Sequence, residues 1–270
     1  LGDKNHTKTD SGLKASVVSK NHTSGDPGEL DLIQVRPCEV LLSPGDEVPF
    51  KAVGFDALGQ TLGEQKVSWS FAGPVGEINT EGKFVAKAGN GGIGMVTAKQ
   101  SDRTATARVR VVPPLPIEEN FDSYAEDGMI SWWIGVSKAK YAMATIDGNR
   151  VLKKLADNRG PIFNRSRVYI TEPLPAGYTV QADLMGEQDR RRRGDVGLIN
   201  ARYRLELFGK VQRLRVMSWV PAPRFEKAIP FKWDPGVWYT AKFQVVPEGD
   251  TARVLAKVWP RGEAEPEEWT

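Results

Sequence analysis

The feature that most constrains this chain is its rhythm of turns. From Leu30 onward, breaks rich in Gly, Pro and Asp recur at intervals of about 8–12 residues, and the runs between them are short, β-branched and aromatic. An amphipathic helix needs apolar residues at i, i+3, i+4 and i+7 over about ten or more positions, and no interval carries that pattern. The runs instead alternate apolar and polar residues, as strands do when one face is packed and the other is wet. The expected fold class is therefore all-β, with two β-sandwich domains in tandem.

The first set of runs is Leu32–Val35, Glu39–Leu42, Val48–Val53, Lys66–Ser70, Gly76–Asn79, Lys83–Ala86, Gly94–Ala98 and Ala105–Val111. Turn residues separate them at Arg36-Pro37, Ser43-Pro44-Gly45-Asp46, Asp56-Ala57-Leu58-Gly59 and Glu81-Gly82. About seven short strands make one sandwich. Prolines at 113, 114 and 116 then hold the chain extended without feeding a ladder, which marks a boundary. The second set is longer and more aromatic: Arg150–Lys154 after an Asp147-Gly148-Asn149 turn, Arg167–Ile170, Tyr178–Leu184, Ala201–Leu207, Arg213–Trp219, Trp238–Val245 and Ala252–Trp259. The expected division is a flexible linker or the tail of a preceding domain over 1–28, a sandwich over 29–112, a Pro-rich linker over 113–116, and a second sandwich over 117–270. That second sandwich is expected to be truncated at its C-terminus, because Trp269-Thr270 still reads as strand. The polar 1–28 segment repeats Lys-Asn-His-Thr at Lys4–Thr7 and Lys20–Thr23, and its Leu1 start leads us to expect a leading segment cut away.

Composition then excludes several classes of function. A length of 270 residues with 40% apolar and 26% charged side chains supports two packed cores. A net charge of +3 is far from the basic stripe of a nucleic-acid-binding domain, so no nucleic-acid partner is expected. No run approaches the roughly 18 apolar residues of a membrane span. The single cysteine, Cys38, rules out an intrachain disulfide.

Catalytic and metal constellations are not expected. Zinc wants three or four Cys/His ligands at close spacing, and both histidines, His6 and His22, lie in the polar 1–28 segment. The same placement removes the base of a nucleophilic triad. No cofactor is expected; a structural calcium stays open, with Asp122 and Asp183 as oxygen donors lacking a ligand spacing. Glycoside hydrolysis needs two carboxylates across a cleft. Glu187 and Asp189 run into Arg190–Arg193 and read as a loop, the strand around Glu206 offers one carboxylate, and Glu263, Glu265, Glu267 and Glu268 look solvated among prolines. The run Arg190–Arg193 reads as a solvated hairpin loop, with binding of an anionic glycan or phosphate as the functional alternative.

The aromatic residues are the better lead. Seven of the eight tryptophans fall in the second module, and adjacent Trp132 and Trp133 would point opposite ways in an extended strand. Some of these rings are expected near the surface, where pyranose faces stack. Along 200–206, period two places Arg202, Arg204 and Glu206 on one face and Tyr203, Leu205 and Leu207 on the core side. Likewise Arg213, Arg215 and Met217 oppose Leu214, Val216 and Ser218. The candidate ligand-binding residues are accordingly Arg202, Arg204, Glu206, Arg213, Arg215 and Trp219, on a polar face expected to meet solvent.

Two resemblances are carried by quoted residues. Val35-x-Pro37, Leu42-x-Pro44-Gly45, Phe50-x-Ala52, Asp56-x-x-Gly59, Val67-x-Trp69-Ser70, Gly76-x-Ile78-x-x-x-Gly82-x-Phe84-x-Ala86 and Ala107-x-Val109-x-Val111 resemble the group 2 bacterial immunoglobulin-like domains. That resemblance implies a spacer or adhesion role on the bacterial cell surface. Phe121-Asp122, Gly236-x-Trp238-Tyr239 and the stretch from Lys257 to Trp269 look like a concanavalin-type, lamin-G-like jelly roll. The order of the two is similar to the C-terminal part of bacterial proteins with quinone-dehydrogenase-like propeller repeats. Together they imply a non-catalytic, extracytoplasmic (periplasmic or cell-surface) bacterial fragment whose partner is a polysaccharide or a neighbouring β-propeller domain. The alternatives are a purely structural module packed on a missing propeller or surface assembly, and the accessory part of an enzyme whose active site lies in a missing N-terminal region.

Overall fold

The structure, a computed structural model, describes residues 26–87, 89, 91–156, 166–171, 177–218 and 224–270. Among these residues all regular structure is β-strand and no helix occurs, so the protein is all-β. The chain divides into two compact units, Leu1–Pro113 and Pro114–Thr270, and the division falls inside the proline run.

Among its described residues the first unit holds ten strands: β1 (Leu30–Arg36), β2 (Glu39–Leu42), β3 (Glu47–Pro49), β4 (Lys51–Asp56), β5 (Thr61–Glu64), β6 (Ser68–Ala72), β7 (Gly76–Ile78), β8 (Lys83–Ala86), β9 (Gly92–Gln100) and β10 (Arg103–Val111). They form sheets of order β1-β4-β5, β2-β10-β9-β6 and β3-β8-β7, and only the β2–β10 pairing is parallel. All three sheets contribute to one core of Ile33, Val35, Phe50, Ala52, Val75, Phe84, Ala86, Val96, Ala98, Ala107, Val109 and Val111. The run expected as one strand over Val48–Val53 is two. At Phe50 the chain leaves β8 for β1, with the Phe50 N–H donating to Gly82 O at 2.8 Å. Gly82 has φ +82°, and a Cβ there would sit 2.6 Å from Phe50 O, so this crossing requires glycine. Strand β5 escapes sequence reading because only Leu62 in it is a large apolar residue.

A buried carboxylate fixes one turn of this unit. The Asp56 carboxylate accepts from the backbone N–H groups of Gly28 (2.9 Å), Leu58 (2.9 Å) and Gln60 (2.8 Å). These donors, Gly28 foremost, hold its pKa below the ordinary carboxylate value against the opposing effect of burial. The turn Asp56-x-x-Gly59 is thus fixed by a side chain that replaces water for its own backbone.

The second unit holds β11 (Tyr141–Ile146), β12 (Asn149–Lys154), β13 (Tyr178–Met185), β14 (Gln188–Asp189), β15 (Arg192–Arg193), β16 (Val196–Asn200), β17 (Tyr203–Phe208), β18 (Arg213–Ser218), β19 (Glu226–Pro230), β20 (Trp238–Glu248) and β21 (Thr251–Pro260). Strands β11 and β12 form a hairpin whose two turn residues, Asp147 (φ 49°) and Gly148 (φ 79°), are both left-handed, the geometry that matches strand twist. Two larger sheets, β13-β20-β21 and β16-β17-β18-β19, share a core. Leu198, Leu205, Leu207 and Leu214 come from the second, and Ala241, Phe243, Val245 and Val258 from the first. Asn200, fully buried, ties them by donating to Tyr178 O (2.8 Å) and Phe243 O (3.0 Å).

Two sequence expectations change here. The strand expected over Arg167–Ile170 is reduced to a single bridge, Ile134 to Tyr169. The segment after Pro260 is not strand. Arg261 N donates to Trp238 O and Thr270 N to Ala256 O, both at 2.9 Å, so 261–270 folds back along β20 and β21.

Candidate functional site

The four-stranded sheet β16-β17-β18-β19 carries most of the expected site. Register places Arg204 opposite Met217, Glu206 opposite Arg215 and Phe208 opposite Arg213. Period two therefore holds along both strands: Leu205 and Leu207 enter the core, and Arg204, Glu206 and Arg215 share the other face.

That face, however, is sheltered instead of wet. The side chains of Arg204, Glu206 and Arg215 retain 7%, 16% and 15% exposure. Glu206 bridges the two arginines: Arg204 Nη1 lies 3.1 Å from its Oε1, and Arg215 Nη2 and Nε donate to its Oε2 at 2.5 and 3.1 Å. Arg204 Nη2 also reaches Met217 Sδ at 2.9 Å. The Arg215 guanidinium stands 4.3 Å from the Phe208 ring centroid, and its Nη1 lies 3.8 Å from Glu226. Two cations and two carboxylates thus neutralise each other. The expectation of a cationic face open to a ligand is corrected for Arg204, Glu206 and Arg215. Guanidinium groups withdrawn from water bond to carboxylate oxygens, and once paired they present little field to a ligand.

The remaining expected residues separate. Arg202 is not on the strand face. It is the exposed residue of a two-residue turn between β16 and β17, whose other member is half-buried Ala201 (φ 51°). Arg213 is exposed at the opposite end of the sheet, where β18 begins. Trp219 lies outside the described residues.

Tryptophan placement also differs from expectation. Among the described residues no tryptophan is exposed; Trp132, Trp233 and Trp259 are buried and Trp69, Trp133, Trp238 and Trp269 are half-buried. Trp132 and Trp133 do not point apart, because the segment is not a strand. Their rings meet at 6.1 Å and 87°, with Phe121 5.9 Å from Trp133.

The exposed aromatic surface is elsewhere. Phe225 is 43% exposed, and its ring packs edge-on against Tyr203 at 6.4 Å. The Ser218 hydroxyl accepts from the N–H groups of Arg224 (2.7 Å) and Phe225 (3.1 Å), while Ser218 N donates to Phe225 O at 2.9 Å, so the Phe225 backbone is fixed. Arg202 stands in the turn immediately before Tyr203. Tyr203 packs against the core, as alternation predicts, while the only sequence signal of Phe225 is an aromatic placed two residues after a proline.

A second charged cluster lies among the tail acids, which are exposed as expected. Glu265 on the C-terminal segment sits between Lys242 Nζ (2.9 Å) and Lys257 Nζ (2.7 Å), and these lysines, Lys257 first, hold its carboxyl below the usual range. Lys257 also donates to Pro266 O at 2.6 Å and lies 4.8 Å from the Trp269 ring centroid. Of the two calcium candidates, Asp183 accepts from Thr240 Oγ1 (2.7 Å) and is paired with Arg261 Nε (3.1 Å), and Asp122 is hydrogen-bonded to Asn120. Among the described residues, no three His, Cys, Asp or Glu side chains are grouped to hold a metal.

The arginine run is a hairpin, as expected, formed by β14 and β15 with Arg190 (φ 54°) in its turn. Arg190, Arg191 and Arg192 are exposed. Arg193 turns inward instead, donating to Trp233 O at 2.8 Å with its guanidinium 5.9 Å from that ring. No protein-family model matches the chain, and no curated protein matches it.

Proposed function

We propose that this chain is a non-catalytic, extracytoplasmic fragment of a bacterial protein, in which the second unit contacts a polysaccharide and the first is a spacer. In this reading the first unit is an immunoglobulin-like sandwich and the second a concanavalin-type jelly roll. The observation that carries the binding role is the exposed Phe225 ring packed on Tyr203, with exposed Arg202 in the turn that precedes Tyr203. An exposed ring on a fixed backbone is the platform on which the C–H face of a sugar stacks, and a neighbouring guanidinium supplies donors for its hydroxyls. The pairing of two carboxylates supports the absence of catalysis: sheltered Glu206 and exposed Glu265 are each bridged to two cations. Glycoside hydrolysis wants two carboxylates facing each other across a gap.

Retention on insoluble neutral polysaccharides (cellulose, mannan, β-glucan) is the test. Binding that falls roughly fivefold in Phe225→Ala, with unchanged unfolding, is the expected result, since one lost aromatic contact is worth about 1 kcal/mol. No retention on any of them sinks the binding role, and turnover of any glycoside by this chain sinks the non-catalytic one.

A further inference from the structure

The opposite end of the same sheet has a different chemistry. There the β14–β15 hairpin, the turn between β17 and β18, and the segment after β19 are drawn together. Arg193 Nη1 and Gln212 Oε1 bind the backbone of Trp233 at 2.8 and 3.0 Å, Phe231 N donates to Gln212 O at 3.1 Å, and Gly209 N donates to Asp195 Oδ1 at 2.9 Å. Trp233, 1% exposed, is the hub under all three. From this base Arg190, Arg191, Arg192, Lys210, Arg213 and Lys232 are all exposed. Residues 186–195, 209–213 and 231–236 together hold seven cations against four carboxylates, an excess equal to the net charge of +3 of the whole chain. One of those carboxylates, Glu187, is already bridged to Lys153 at 2.6 Å.

We infer that this loop end is a binding surface for an acidic polysaccharide, a chain carrying uronate or sulfate groups at intervals. The inference rests on the polysaccharide-binding reading above and names a substrate class for a second place on the same unit. Exposed guanidinium groups bind carboxylate and sulfate with paired donors, and several on one rigid base engage successive charges of a polymer. Single-stranded nucleic acid is served less well. Its bases need exposed aromatic rings to stack on, and at this end the indole of Trp233 is buried with Arg193 across it. The exposed large apolar side chains there are Val211 and Val237.

The test titrates the full chain with polygalacturonate, with dextran and a mixed-sequence single-stranded oligonucleotide as controls. Polygalacturonate should bind at low salt and weaken steeply as salt rises, because its counterions are released on binding. Replacing Arg190, Arg191 and Arg192 together by Ser should weaken it tenfold or more. Lys210→Ser with Lys232→Ser should weaken it about threefold. Replacing Lys51, Lys66 and Lys99 by Ser, which removes the same charge from the first unit, should leave it unchanged. Equal losses from both triple variants, an oligonucleotide bound at least as tightly as polygalacturonate, or polygalacturonate bound no better than dextran each overturns the inference. The effect of Phe225→Ala on neutral polysaccharide is measured separately, so either reading can fall while the other stands.

Discussion

The two units obey the same period-two rule with different consequences. In the first, strands such as β8 alternate strictly between solvent and an apolar core, and of the outward strand cations Arg110 on β10, 3.6 Å from Glu39, is withdrawn from water. In the second, side chains on the far faces of both large sheets are also withdrawn from water. Arg204, Thr240 and Lys257 are buried there, and each has found a protein partner. Alternation therefore tells which residues share a face in both units. It tells what that face meets only where the far face is wet.

The largest expected effect tests the apolar side of this contrast. Phe84 has no exposed surface and lies between Phe50 and Phe71, with Gly76 against its ring. Phe84→Ala should cost the first unit about 4 kcal/mol and leave the second unit's transition in place, read as two denaturant midpoints. A loss shared by both units would show that they do not unfold separately.

Glu206→Ala tests the polar side. It strands two sheltered guanidinium groups and should cost the second unit about 3 kcal/mol. Changing Arg204, Glu206 and Arg215 together to Met, Leu and Leu should restore most of that loss, because no charge is then left without water or a partner. A single-variant loss no larger than that of a surface ion pair would place the cluster in solvent.

Acid sharpens the comparison further. Asp56 in the first unit and Glu265 in the second have folded pKa values below their unfolded ones, about 3.9 and 4.3. The stability each contributes is complete above those values and is lost as pH falls through the folded pKa. Both units should therefore weaken below about pH 4, and Asp56→Asn or Glu265→Gln should flatten the profile of its own unit. The causes differ: backbone N–H donors at Asp56, lysine charges at Glu265. Salt of about 1 M, where screening acts over about 3 Å, should shrink the acid-dependent loss in the second unit and spare the first. Equal shrinkage would put both carboxylates in the same kind of site.

The smallest effect concerns Arg193. Arg193→Ala removes the hydrogen bonds to Trp233 O and Gln188 Oε1 and one ring contact from the base of the cationic loops and should cost about 1 kcal/mol, seen in the second unit's midpoint. No change would detach Arg193 from that hub.

Legibility followed the same physics. The hairpin turn at Asp147-Gly148 and the core placement of Leu205, Leu207 and Leu214 were readable, because left-handed turn residues and alternation are local properties. The crossing at Phe50, the bridge that replaced the strand at Arg167–Ile170, and the T-shaped contact of Trp132 with Trp133 were not, because each depends on a partner distant in sequence or on a departure from strand geometry. At the candidate site, the sequence grouped Arg204, Glu206 and Arg215 on one face but did not show Glu206 joining the two arginines. It placed Arg202 with them, although the turn after Asn200 takes Arg202 off the strand, and it placed Arg213 on the face of Arg215, where Arg213 stands at the exposed end of β18.

By itself, then, the amino-acid sequence determined the strand class of this protein, the proline run where its two units divide, and the faces on which its charges lie. The tertiary structure alone decided which charges meet water. Pairing of β17 with β18 spent the charge of Arg204 and Arg215 on Glu206, and the segment after Pro260 placed Glu265 between Lys242 and Lys257. The loop cations were left unspent, because the strand ends that carry them gather around Trp233 and turn their side chains outward. A charge's effect depends on its nearest opposite charge and on the water around it, and strands far apart in the chain set both.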